Sequence, residues 1–270
     1  MPTSSQPLPA LFVPHGAPTL ALEPGAAGAA LTRFAATLPR PRAIVVVSAH
    51  WQAERPTVGY AEAPETLHDF HGFPPELYRL RYPARGDQAV TSAVLRALQE
   101  AGLQAASEPD RGLDHGAWTP LMLMYPEADI PVVPLSLLGG RGAREHLALG
   151  RALRGLLDQG VLILASGNLT HNLADFRLGA ATGGEPLAYV DEFAAWIHEC
   201  VERGDDAALV DYRQRAPAAR RAHPSEEHLL PLFVALGAGG PHSRRERFHA
   251  GVDHGILAMD AYAFRPARLS

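Results

Sequence analysis

The sequence contains no lysine; all 24 of its basic residues are arginine. That absence excludes a Schiff-base lysine, a lysine general base and a phosphate-cradling P-loop lysine. A single cysteine, Cys200, excludes an intramolecular disulfide and any cysteine-only zinc or iron–sulfur centre. It falls inside a helical pattern and reads as a packed thiol. No run of about 18 apolar residues occurs, and residues 1–9 carry no apolar signal core. The sequence therefore predicts a cytoplasmic protein with no membrane association and a flexible stretch at 1–9. A net charge of −5 leaves no basic excess for a non-specific nucleic-acid face. What the 270 residues do have, at 47% hydrophobic and 20% charged, is ordinary globular composition with length for a sizeable core. No repeat or low-complexity linker divides the chain, so residues 1–270 read as a single catalytic domain.

Strand-like runs fall at 10–13, 43–49, 57–61, 130–137, 161–165 and 256–264. Helical patterns lie between them at 27–38, 87–101, 142–158, 187–202 and 225–238. Val45-Val46-Val47 and Leu162-Ile163-Leu164 are apolar on successive residues, as in strands covered on both faces. The alternation predicts an α/β fold with a central, mostly parallel or mixed sheet covered by helices on both faces.

Three strand candidates run into histidine: Val13 into Pro14-His15-Gly16, Ser48 into Ala49-His50-Trp51, and Ala165 into Ser166-Gly167-Asn168 with His171 three residues on. If these strands are parallel neighbours, His15, His50 and His171 meet outside their carboxyl ends, where open α/β sheets bind ligands. Gly16 and Gly167 allow tight turns and close backbone approach there. His228 is expected in the first turn of the 225–238 helix, with Ser225 as N-cap and Glu226 and Glu227 beside it. The positive helix end disfavours imidazolium and leaves the neutral ring a metal needs. His115 is expected in a loop before a helix at 119–124. His146, His198, His242, His249 and His254 read as surface or structural residues, and His223 as a weaker ligand candidate. His15, His50 and His228 make a three-imidazole set suited to one divalent ion: zinc, iron, copper or nickel.

Seven segments in order carry a resemblance. They are Phe12-Val13-Pro14-His15-Gly16-Ala17-Pro18, Val46-Val47-Ser48-Ala49-His50-Trp51, His68-Asp69-Phe70-His71-Gly72-Phe73-Pro74, Tyr82-Pro83-Ala84, Leu113-Asp114-His115-Gly116-Ala117-Trp118, Ser166-Gly167-Asn168-Leu169-Thr170-His171-Asn172-Leu173 and Glu227-His228-Leu229-Leu230-Pro231-Leu232. Together they resemble the DOPA-dioxygenase-like branch of the class III extradiol ring-cleavage dioxygenases, across about residues 10–238. The resemblance implies that His15, His50 and His228 bind the metal, that His171 is the acid/base, and that His115 stands behind the ligands or faces substrate. An all-histidine set implies less selectivity for Fe(II) and more hospitality to Zn(II). The resemblance often has serine where Ala17 stands, and no role is carried over to His71.

Extradiol cleavage inserts both atoms of O₂ beside a catechol, so the implied partners are a small catechol and O₂, and the product is a ring-opened semialdehyde. Triplet O₂ reacts poorly with singlet organics, and a redox ion with open positions opposite three protein ligands removes that barrier. Fe(II) is expected for activity; zinc cannot cycle electrons. A proton must leave the catechol and one must return as the O–O bond breaks. One histidine titrating near neutrality serves both steps. Two alternatives stand beside this: a zinc hydrolase on the same scaffold, with His171 or His115 as general base, and a non-catalytic metal-binding protein. Aromatic residues in the 68–82 loop, Trp51 and Trp118 are candidates to face the substrate ring, and Arg79 or Arg81 to bind a substrate carboxylate.

Overall fold

The runs of successive apolar residues form the middle of an eight-stranded sheet in the computed structural model, which describes residues 7–267. The strands are β1 (Ala10–Pro14), β2 (Ala43–Ala53), β3 (Thr57–Gly59), β4 (Ala106–Glu108), β5 (Val132–Leu138), β6 (Val161–Gly167), β7 (Arg244–His249), β8 (Val252–Asp253), β9 (Leu257–Ala258) and β10 (Ala261–Arg265). Across the main sheet the order is β4-β3-β5-β2-β6-β1-β10-β7, while β8 and β9 pair with each other. Strands β5, β2, β6 and β1 are mutually parallel. At their flanks β3 pairs antiparallel with β5, β10 with β1, and β7 with β10. The sheet is thus mixed with a parallel centre, as expected.

The helices are α1 (Gly25–Ala35), α2 (Gln88–Glu100), α3 (His115–Met124), α4 (Ala143–Leu157), α5 (Phe176–Ala181), α6 (Ala188–Arg203), α7 (Asp206–Val210), α8 (Tyr212–Arg215), α9 (Ala219–Ala222) and α10 (Leu230–Gly239). α1 packs on α3, which lies against β2 and β6; α10 packs on α4 and reaches β1, β2 and β6 from the opposite face. The parallel strands are sealed between these pairs, which is why β1, β5 and β6 are buried at every residue. Cys200 is a free, buried thiol in α6. Among the described residues no helix is long and apolar enough to cross a membrane. Of the stretch 1–9 expected to be flexible, residues 1–6 lie outside the described residues, and Leu8 is buried.

Several boundaries differ from the sequence reading, and three of them near the site have a local reason. α3 begins at His115 rather than after it, because Asp114 is the N-cap and its Oδ1 accepts from Ala117 N at 3.1 Å. α10 begins at Leu230, so His228 lies in the turn before the helix and not in its first turn. Pro231 sits in the first helical turn, where its missing N–H costs nothing. Ser225 caps no helix; its hydroxyl donates to Glu227 Oε1 at 2.9 Å. The expected 256–264 strand splits into β9 and β10, because Leu257 and Ala258 pair with β8 outside the main sheet, where Thr170 Oγ1 donates to the Ile256 carbonyl and accepts from Ala258 N, both at 2.7 Å. Edge strand β7, Arg-Arg-Glu-Arg-Phe-His, has no apolar alternation to announce it; charge on an edge discourages pairing with another chain.

Candidate metal centre and the cavity before it

The carboxyl ends of β1, β2 and β6 finish side by side: Pro14 pairs with Gly167, and Ser48 with Ser166. His15 follows β1 directly, and its N–H donates to the Gly167 carbonyl at 3.1 Å. Gly16 then takes φ +57°, a left-handed conformation natural to glycine, and its N–H donates to Asn168 Oδ1 at 3.1 Å. His50 is re-aimed by a bulge. Val47 pairs with Leu135 and Gln52 with Leu137, so residues 48–51 loop out against Ser136 alone. Gly167 lets the His228 backbone lie directly on the end of β6, where the His228 carbonyl accepts from Asn168 N at 2.9 Å. His171 is held past the same strand by its own N–H, which donates to the Ala222 carbonyl at 2.9 Å.

These placements bring all five expected histidines together. Ring centroids are 5.0 Å apart for His15 and His50, 5.2 Å for His15 and His228, and 5.0 Å for His50 and His228. His115 lies 4.1 Å from His50, and His171 stacks on His228 at 3.5 Å and 4°. Candidate ligand atoms of His15, His50 and His115 lie within 4.8 Å of one another, and so do those of His171, Glu227 and His228. His223 stands apart, with its Nε2 donating to the Leu169 carbonyl at 2.8 Å. His146 is buried and braces the start of α4: its Nε2 accepts from Leu138 N at 3.0 Å. His71 is exposed.

The hydrogen bonds fix which nitrogen each ring presents. Pro120 lies inside α3 and has no N–H for the Gly116 carbonyl. The Ser166 hydroxyl donates to that carbonyl instead. Its oxygen therefore accepts from His15 Nδ1 at 3.0 Å, which leaves His15 Nε2 bare. His228 Nδ1 donates to Glu227 Oε1 at 3.2 Å, and its Nε2 is buried with no hydrogen-bond partner. His50 Nδ1 faces Asp69 Oδ2 at 3.5 Å, and its Nε2 lies 3.2 Å from His15 Nε2. Two nitrogens bound at about 2.0–2.1 Å to one ion stand roughly 3 Å apart, so this separation and the orphaned His228 nitrogen both fit one shared metal ion. The outward Nδ1 contacts are the kind that orient metal-binding imidazoles.

Asp69 holds His115 twice, its Oδ1 accepting from the backbone N and from Nδ1, each at 2.9 Å. Burial alone would raise the Asp69 carboxyl, but the hydrogen bonds and charge of His115 outweigh it and keep the group well below the usual carboxylate range. Asp114 ties α3 to the bulge: Ser48 Oγ donates to Asp114 Oδ1 and accepts from His50 N at 3.2 Å, while Arg111 pairs with the other carboxylate oxygen. Burial pushes His15 and His228 well below the ordinary imidazole range, with neighbouring imidazoles adding to it. Burial likewise lowers His50 and His171 to about 4. All four are neutral at pH 7, each with a lone pair to offer an ion. For His171 this lies below the near-neutral value expected from its role, because the ring is enclosed.

In front of the rings opens a cavity of 590 Å³. His15, His50, His115 and His171 border it, and its walls include Phe70, Phe73, Pro18 and Leu257, with Leu173, Phe176 and His254 toward the surface. His228 does not border it. Of the expected ring-facing aromatics, the 68–82 loop supplies Phe70 and Phe73. Trp118 is buried elsewhere with its Nε1 donating to the Leu67 carbonyl at 2.8 Å, and Trp51 lies under Arg111. Neither Arg79 nor Arg81 borders the cavity. Ala17 does, as does His254, which the sequence reading set aside. The sequence reading also gave no role to Asp69, Ser166 or Pro120. Proline inside an apolar helix was the available signal for a free carbonyl; nothing in the spacing shows which histidine Asp69 would meet.

Comparison with known proteins finds relatives over most of the chain. Residues 10–258 match the family described as the catalytic LigB subunit of aromatic ring-opening dioxygenase. A 4,5-DOPA dioxygenase extradiol of Beta vulgaris is 38% identical over 257 residues, covering 94% of this chain and 95% of its own length. A protein of the same name from Escherichia coli (strain K12) is 37% identical over 261 residues, 95% of this chain and 94% of its own. The crystal structure of an uncharacterized Escherichia coli K12 protein is similar with a TM-score of 0.77 at 31% identity, over 95% of this chain and 99% of that one.

Proposed function

The chain belongs to the family of the catalytic LigB subunit of aromatic ring-opening dioxygenases and is an extradiol dioxygenase, and from that premise we propose how its five histidines divide the work on a catechol. His15, His50 and His228 hold one divalent metal ion, with Fe(II) serving turnover and Zn(II) able to take the same place. The observation that carries the assignment is the matched orientation of the three rings: each turns Nδ1 toward an oxygen, His15 Nε2 lies against His50 Nε2, and the buried His228 Nε2 has no partner. His228 is preferred to His115 as third ligand because it does not border the cavity, so its nitrogen serves only the cluster. Bound there, iron supplies the electron path that lets triplet O₂ react with a catecholate.

The remaining residues handle protons and position. His171, neutral at pH 7 and bordering the cavity, takes a proton from a catechol hydroxyl on a ring nitrogen and returns it to oxygen as the O–O bond breaks. His115 gives its Nδ1–H to Asp69, so its Nε2 is the acceptor toward the other hydroxyl. Phe70 meets the His115 ring edge-on at 5.6 Å and, with Phe73, offers an apolar flank to the substrate ring. The product is a ring-opened hydroxymuconic semialdehyde type.

The test is anaerobic loading with Fe(II), addition of a catechol, then air. A yellow ring-opened chromophore is expected, and none from protein holding only zinc. Colourless mixtures from iron-filled protein with bound catechol, or full turnover in the zinc form, would overturn the reading.

A further inference from the structure

The cavity's lining speaks to what hangs from the catechol ring. Resting on the dioxygenase reading above, we infer that the preferred substrate carries an uncharged, apolar substituent, a short alkyl or aryl group, rather than the ammonium and carboxylate of an amino acid. Apart from the histidines, the side chains bordering the cavity are apolar but for Thr19; no arginine, aspartate, glutamate, asparagine or glutamine borders it among the described residues. Two arginines of the surrounding loops are already engaged. Arg81 donates to the Tyr78 and Leu80 carbonyls, both at 2.8 Å, and Arg111 pairs with Asp114 and covers the Trp51 ring at 4.8 Å. Within the cavity a substrate carboxylate would therefore meet no guanidinium, and leaving a charge unpaired against apolar walls is costly.

The same walls reward an apolar group. A volume of 590 Å³ falls in the range that holds ligands well beyond a bare catechol. The apolar surface also continues outward: Leu173 is 59% exposed and Phe176 45% exposed, both in the segment that follows His171. A substituent leaving the ring on that side runs over Leu173, Phe176 and Leu257 before it reaches water. His254, exposed at the same mouth, is the one ionisable residue bordering that part of the cavity among the described residues, and it cannot pair with both charges of an amino acid.

The experiment is a binding series on the iron-loaded protein without O₂, by calorimetry, using 4-methylcatechol, 4-ethylcatechol, 4-butylcatechol and DOPA, followed by kcat/KM for each in air. Kd should fall about threefold to fourfold per added methylene. 4-Butylcatechol should bind at least about tenfold more tightly than DOPA, because three added methylenes are buried and DOPA's charges gain no partner. Leu173→Arg, which brings a cation to the mouth, should narrow that gap; if it fails to fold, the series on the unaltered protein decides alone. DOPA binding as tightly as 4-butylcatechol, or a Kd indifferent to chain length, overturns the inference. A chain-length order without cleavage of any catechol establishes the cavity's apolar preference but defeats the dioxygenase reading, and the substrate claim with it; no binding of any catechol defeats both.

Discussion

His15 Nδ1 lies 3.0 Å from Ser166 Oγ, and the direction of that hydrogen bond is set by a proline on another element. Pro120 leaves the Gly116 carbonyl without its helical partner, the Ser166 hydroxyl fills the gap, and the serine oxygen can then only accept from His15. One missing N–H in α3 thus chooses the tautomer of a ring at the end of β1.

Ser166→Ala removes that link while keeping every proposed ligand. Metal affinity should fall by about 10-fold to 100-fold, the usual effect of losing a partner that orients a metal-binding imidazole. Competition with a graded chelator reads this directly. Unchanged affinity would show that His15 is oriented by packing alone.

His171→Ala and His228→Ala should part company. The first should keep the metal and lose about 10² to 10⁴ in turnover, the worth of one positioned acid/base group. The second should lose metal and activity together. Metal content measured beside kcat separates the two. Near-normal turnover of His171→Ala with a filled site would move the acid/base role to His115. Loss of metal from that variant would make His171 a ligand.

His223 supplies a pH signature outside the cluster. Burial lowers its ring to about 4, despite the hydrogen bond to the Leu169 carbonyl. Unfolded, the same ring takes its proton near 6.5. Between those values the unfolded chain binds more protons, so the stabilisation present above pH 6.5 is lost as pH falls to about 4. The shift corresponds to about 3 kcal/mol. Urea unfolding of metal-free protein at pH 7 and at pH 4 should show at least that loss. His223→Gln, which keeps a donor but cannot titrate, should lose less over the same interval. Equal losses in the two proteins would mean that other groups carry the acid sensitivity.

Periodicity and strand-end chemistry reach far into this molecule. Successive apolar residues in Val45-Val46-Val47 and Leu162-Ile163-Leu164 read as strands sealed on both faces, and parallel strands deliver the residues after them to one rim. His15, His50 and His171 were therefore legible as strand-end residues that would meet if their strands were neighbours; that β2, β6 and β1 do lie side by side is settled by the sheet order. Where His228 sits relative to its helix was not legible, because Pro231 and a turn accepting at the Glu226 carbonyl outcompete the Ser225 cap. Nor was the service of Asp69 to His115, nor of Ser166 to His15, pairs separated by 46 and 151 residues. A hydrogen bond across such a separation leaves no periodic trace in the chain; it exists only once α3, β6 and the 68–82 loop are packed together. Residue order along the chain is enough to say which residue types meet at the carboxyl ends of the strands. Which nitrogen each ring presents, and how apolar the space before them is, depends on packing between elements far apart in the chain.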